Sequence, residues 1–224
     1  MSRAKKSTSP MVITAKPETK KSVKKQVIKK VLNVGGGNKN IPLPPQYENY
    51  SHILLDIDPK GNPDVVCDAR NLNTLPAKEY DAIYCSHNLE HYYHHDAIKV
   101  LQGFFHVLKD DGLVHILVPD MKALMETVVT RNLDIDDFLY QSDSGPILVR
   151  DVIYGWGAEI QQSGQDYYAH KTGFTPISLI KILTQSGFPH IYVGSNDNLE
   201  LLGIAFKNPP SEQTKKLFNL IDAV

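Results

Sequence analysis

Cysteine is scarce in this chain. Only Cys67 and Cys85 occur in 224 residues, each inside an apolar run that reads as a strand. That excludes a disulfide framework and a cysteine-built zinc site, and it fits a reducing, cytoplasmic setting. Long hydrophobic runs are missing too. Nothing approaches the roughly 20 apolar residues of a membrane span, and the basic N-terminal stretch has no apolar signal core. Internal repeats are absent. So is any large net charge, which is −1.

That small sum hides an asymmetry. Residues 1–30 hold ten of the 24 Lys and Arg but one of the 25 Asp and Glu, which leaves 14 basic against 24 acidic side chains beyond them. Residues 1–26, rich also in Ser, Thr and Pro, read as a basic disordered tail. The acidic remainder, 27–224, reads as one domain, and its charge argues against a nucleic-acid substrate. At 42% hydrophobic residues over its 224 positions the chain can build a sizeable core.

The organising stretch is KVLNVGGGN, Lys30 to Asn38. Its apolar residues predict a buried strand that stops at Gly35, Gly36 and Gly37. Three further strand-like runs end in acids or small polar residues: HILLD at Asp56, DVVC before Asp68, and YDAIYC before Ser86. Between the first two, Pro42, Pro44 and Pro45 exclude a regular crossover helix. Helical spacing follows over Asp96–Leu108, then a strand over Leu113–Val118, a helix over Met121–Thr130, and a helix over Pro176–Gln185. Alternation of this kind predicts an α/β, mostly parallel sheet. Two last strands, 191–193 and 199–206, are joined by roughly five residues, too few for a parallel crossover, so they are antiparallel neighbours. A last helix is predicted over Ser211–Ile221. Residues 131–173 break the rhythm and read as a lid-like insertion.

A Rossmann-like parallel sheet ending in an antiparallel strand, with these motifs in this order, resembles the class I S-adenosylmethionine (SAM)-dependent methyltransferases. The likeness is greatest to the small bacterial, methyltransferase type 11-like branch. VLNVGGGN is similar to the family's glycine-rich motif, LLDIDP to its ribose-binding acid, DVVCDAR to its adenine-binding segment and YDAIYCSHNLEH to its fourth motif. Asn33 stands where an acid is common. The resemblance implies SAM as cofactor. It implies a cofactor site from Val34, Gly35, Gly36 and Gly37, from Asp56, Ile57 and Asp58, from Asp68 and Ala69, and from Ser86 and His87. It also implies methyl transfer to an O or N atom of an acceptor, with a small metabolite or a glycan favoured.

His91 and His170 are the candidate proton-transfer groups, since imidazole titrates near neutral pH. Tyr167, Tyr168 and Trp156 are candidate stacking surfaces for an acceptor. Three rival readings remain at this point. One is an inactive SAM-binding interaction module. Another is a zinc hydrolase, because His87-x-x-Glu90-His91 matches an inverted zinc-protease pattern. The third is an NAD-dependent oxidoreductase, which lacks its third glycine because Asn40 occupies that position. No metal is expected.

Overall fold

The computed structural model describes residues 28–142 and 145–222. The predicted tail lies outside the described residues. Nine strands and six helices follow in chain order: β1 (Lys30–Val34), β2 (Ser51–Asp56), β3 (Val65–Val66), β4 (Tyr80–Ser86), α1 (His94–Val107), β5 (Leu108–Pro119), α2 (Met121–Arg131), β6 (Phe138–Ser142), β7 (Gly145–Leu148), α3 (Val149–Tyr154), α4 (Gly157–Ser163), α5 (Pro176–Gln185), β8 (His190–Ser195), β9 (Glu200–Phe206) and α6 (Glu212–Phe218).

Seven strands make one sheet in the order β3-β2-β1-β4-β5-β9-β8. β3 through β5 pair in parallel, and β9 runs antiparallel to both β5 and β8. This is the class I methyltransferase arrangement. The short 196–199 link forces the β8–β9 reversal, as its length predicts.

The early crossovers carry no α-helix. The proline-rich segment between β1 and β2 holds one 3-10 turn, Pro45–Tyr47, which docks Tyr47 at 3% exposure under the sheet. The links from β2 to β3 and from β3 to β4 are also 3-10 turns, Pro59–Gly61 and Ala69–Thr74. The 69–74 turn takes a helix's place on that face. A Cβ on Gly103 of α1 would stand 2.7 Å from Leu72 Cβ, so turn and helix pack at backbone range.

The main core lies between the sheet and α1 and α5. Leu32, Ile83, Phe104, Ile116, Leu179 and Phe188 are fully or almost fully buried there. Each such side chain contributes roughly 1.5–3 kcal/mol by leaving water. The opposite face is closed by Tyr47 and by Phe218 of α6.

The predicted insertion is ordered rather than irregular. β6 and β7 form an antiparallel hairpin. With α2 and α3 they enclose a small hydrophobic cluster of Leu124, Leu139, Val149 and Val152. Phe138 is half exposed on this hairpin.

Candidate active site

The strand tips β1, β2 and β4 converge on one cavity of about 540 Å³, within the size range of cofactor sites. Gly35, Gly37, Asp56, Ile57, Asp58, Asp68, His87 and His91 line it. These are eight of the thirteen residues singled out from the sequence for the cofactor or for proton transfer; Tyr167 and Tyr168, two of the stacking candidates, line it too. Val34 and Ala69 are 1% and 2% exposed and sit in the main core, Gly36 and Ser86 do not line the cavity, and His170 lines a second, smaller one.

The glycine bend is shaped by backbone needs. Gly35 and Gly37 have φ of +70° and +63°, a region costly to residues with a Cβ. At Gly35 a Cβ would overlap the Asn88 side chain, at 2.1 Å from Nδ2. At Gly37 it would meet nothing within 4 Å, so the main chain there lies bare toward the cavity. Asp56 holds the bend in place: its carboxylate accepts from Gly37 N and from Asp58 N, each at 2.9 Å.

Asp58 faces the cavity beside it. Its Oδ1 accepts from Lys60 N at 2.9 Å, and its Oδ2 from the Tyr167 hydroxyl of the insertion, also at 2.9 Å. Those hydrogen bonds hold the Asp58 carboxyl below its ordinary range. The third acid is differently engaged. Arg70 grips Asp68 through Nε and Nη2, so this carboxylate is paired within the protein. Burial opposes its charge, and the Arg70 contacts outweigh it, leaving the pKa lowered. Arg70 reaches Asp96 of α1 as well, at 3.5 Å.

The β4 tip carries the histidines. His87 has φ +47°, a left-handed conformation unusual for a side chain of this size. Its Nε2 lies 2.8 Å from Glu200 Oε1 and its Nδ1 lies 3.4 Å from Glu90 Oε1. Burial opposes the imidazolium, but the contacts with Glu200 and Glu90 prevail and raise its pKa to about 10. His87 is therefore a fixed cation at neutral pH. The zinc-protease pattern is not assembled, because His87 turns to Glu200 rather than sharing a metal face with His91.

Both ring nitrogens of His91 face main-chain carbonyls, Ala169 O at 3.2 Å and His87 O at 3.0 Å. Its ring packs edge-on against His170, with centroids 5.0 Å apart. His170 gives Nδ1–H to Val152 O at 2.9 Å, and burial lowers its pKa, so the neutral ring keeps a lone pair on Nε2. That nitrogen is 3.9 Å from Glu90 Oε1.

Glu90, Asn88, Tyr92 and Arg70 were not singled out as cofactor-site residues from the sequence. Asn88, Tyr92 and Arg70 line the cavity. The run SHNLEHYY offered no periodicity to rank Asn88, Glu90 and Tyr92, because it folds as a 3-10 turn, Leu89–His91, rather than a helix. Asn88 decides whether a SAM-like cofactor fits. Its Oδ1 is buried without a hydrogen-bond partner, next to the bare glycine bend. An orphaned acceptor of this kind is costly unless a ligand donor meets it. The cofactor's ammonium group is such a donor, and the Asp56 carboxylate keeps lone pairs for a ribose diol beyond its two main-chain bonds.

Comparisons with known proteins bear on the family and the fold. Residues 32–116 match the family model described as a methyltransferase domain, from β1 into β5. These residues form a methyltransferase domain. The activity that accompanies it is SAM-dependent methyl transfer. No protein of curated function matches the chain in sequence. Among solved structures, the chain is similar to the PH0226 protein of Pyrococcus horikoshii OT3, at 12% identity and a TM-score of 0.54 over 83% of this chain and 84% of that one. It is also similar to a SAM-dependent methyltransferase of Archaeoglobus fulgidus, at 17% identity and a TM-score of 0.47 over 80% and 86% of the two chains. Identity at this level speaks for the fold alone. The methyltransferase domain stops short of the insertion and of His170, which belong to the part of the chain outside the family match.

Proposed function

We propose that this methyltransferase moves the methyl group of SAM to an oxygen or nitrogen atom of a small metabolite or glycan. The observation that carries the reading is the cavity over the glycine bend, rimmed by Asp56 and Asp58 and floored by the orphaned Asn88 Oδ1. In this reading Asp56 and Asp58 hold the ribose, the main chain at Gly35 and Gly37 carries the methionyl portion, and Asp68 and Ile57 flank the adenine, while Val34 and Ala69 stay in the core beneath. His87 stands at the reactive end. When bound, SAM supplies an electrophilic methyl group on a cationic sulfur, which the surrounding carboxylates suit.

The chain's own residues then position the acceptor and exclude water. The insertion acts as a lid on a single domain spanning 27–224. Tyr167 donates to Asp58 across the cavity mouth, and Lys171 N and Thr172 N both donate to Glu90 O, at 2.8 and 3.1 Å. A smaller cavity of about 120 Å³ lies on the other side of His87, lined by Trp156, Tyr140 and His170 among others. It is the natural place for an acceptor's reacting end. Of the two candidate histidines, His170 is the better proton acceptor. Its Nε2 carries a lone pair, whereas both nitrogens of His91 are turned to carbonyls.

The acidic body disfavours a long nucleic-acid acceptor. No helix among the described residues is long and apolar enough to cross a membrane, and the free thiols of Cys67 and Cys85 suit a reducing cytoplasm.

Isothermal titration with SAM, followed by SAM consumption in the presence of metabolite extracts, tests the assignment. Binding with turnover is expected; binding with no acceptor in any extract would leave only an interaction module. Two variants sharpen the test. Gly37→Ala is expected to cost about 1–2 kcal/mol of stability, because alanine resists the left-handed backbone, and to weaken SAM binding by filling bare cavity space. Thermal melts and the same titration measure both. Deleting residues 1–20 is expected to leave SAM affinity unchanged, and a large loss would make the tail part of the site.

A further inference from the structure

Among the described residues, Glu90 is the one buried with both side-chain oxygens unpartnered. Its side chain is 1% exposed, and neither carboxylate oxygen has a hydrogen-bond partner. Its nearest cationic neighbour, His87 Nδ1, is 3.4 Å away and already serves Glu200 through Nε2. Burying a carboxylate that is paired this poorly costs several kcal/mol. Something else is expected to meet those oxygens.

Two histidines surround the same space. One ligand-capable atom from each of Glu90, His91 and His170 lies within 4.8 Å of the others. The chain places the three with care. Glu90 and His91 are fixed by the 3-10 turn after β4, and His170 is brought in by the 169–172 segment, whose amides bond Glu90 O. His170 Nδ1–H is spent on Val152 O, which fixes the tautomer and leaves Nε2 toward Glu90. Anchoring of the distal nitrogen by a carbonyl is the usual outer support of a metal-bound imidazole. His91 has the same support available in its Nδ1 contact with Ala169 O.

We propose that Glu90, His91 and His170 bind a divalent transition-metal ion of the zinc class. Two imidazoles and one carboxylate form the three-ligand set that leaves a further position open for water or an acceptor heteroatom. Metal–ligand bonds of about 2.0–2.2 Å require donor atoms roughly 3–4 Å apart. The present spread closes when His91 releases the His87 carbonyl and turns one nitrogen inward. The ion sits between the two cavities, since His91 lines the cofactor cavity and His170 the smaller one. The site stands on its own residues and does not require the acceptor reading above; with an ion on Nε2, His170 is a ligand and no longer the proton acceptor.

The test uses full-length protein stripped with chelator and titrated with cobalt(II). About one cobalt per chain is expected, with visible absorption from a nitrogen-ligated ion that zinc displaces. Loss of outer-shell partners alone weakens metal sites about 10–100-fold, so His170→Gln and Glu90→Gln are expected to weaken binding by at least that much. A double substitution of the exposed His94 and His95 is expected to change nothing, which separates the site from adventitious surface binding. Should Glu90→Gln fail to fold, the wild-type spectrum and His170→Gln still decide. No cobalt bound by folded wild-type protein, or an unchanged spectrum in His170→Gln, overturns the proposal. SAM titration of the same samples shows independently whether the methyltransferase assignment holds.

Discussion

Replacing Asp56 with alanine is expected to weaken SAM binding by about 1–3 kcal/mol, roughly a 5- to 160-fold rise in Kd. Two losses combine. The ribose loses a charged acceptor, and the glycine bend loses the carboxylate that holds Gly37 N and Asp58 N at 2.9 Å. The second loss also lets the 35–37 main chain relax out of the shape the cofactor needs. Asp56→Asn separates the two. Its amide oxygen keeps one of the main-chain bonds, while its NH2 faces a donor and removes the charge. An intermediate affinity is therefore expected. Titration with S-adenosylhomocysteine measures all three proteins without turnover. Unchanged affinity in Asp56→Ala would mean that the ribose is held elsewhere, with Asp58 the next candidate.

The second large effect is on stability and comes from the opposite face of the sheet. His115, on β5, is 5% exposed, with Nδ1 3.1 Å from the Tyr47 hydroxyl. Tyr84 and Phe218 pack around it at ring distances of 5.1 and 5.7 Å, so its ring neighbours are aromatic and uncharged at neutral pH. Burial lowers its pKa from 6.5 to about 4. The unfolded chain thus binds a proton that the folded chain refuses between these values. Stability is full above pH 6.5 and falls as pH drops toward 4, by up to about 3 kcal/mol from this one group. Below pH 4 its contribution flattens. Urea unfolding at intervals from pH 7 to pH 4 measures the slope. Carboxylates add their own acid dependence, so the comparison that counts is with His115→Gln, which keeps a partner for Tyr47 but cannot titrate. A slope identical in the two proteins would refute the assignment.

Much of this molecule was written in local chemistry. Glycines at 35 and 37, acids at strand tips and three prolines before β2 each act within a few residues. A sequence reading therefore reached the bend, the missing crossover helix and the antiparallel β9. The order of the strands across the sheet was not read from the sequence, because parallel crossovers leave the neighbour of each strand open. Other features depend on residues far apart in the chain meeting one another. Asp56 and Asp68 looked alike as strand-tip acids, yet Arg70 pairs with one while main-chain amides occupy the other. The insertion read as irregular because β6, β7 and α3 are short elements that gain stability only by packing on α2. The grouping of Glu90 with His170, 80 positions apart, has no periodicity to announce it. It exists because amides at 171 and 172 bond the carbonyl of Glu90. Local preference is encoded residue by residue, and so it can be read from the sequence. Burial, pairing and the protonation of a buried side chain are properties of the surroundings, and only the folded chain supplies those.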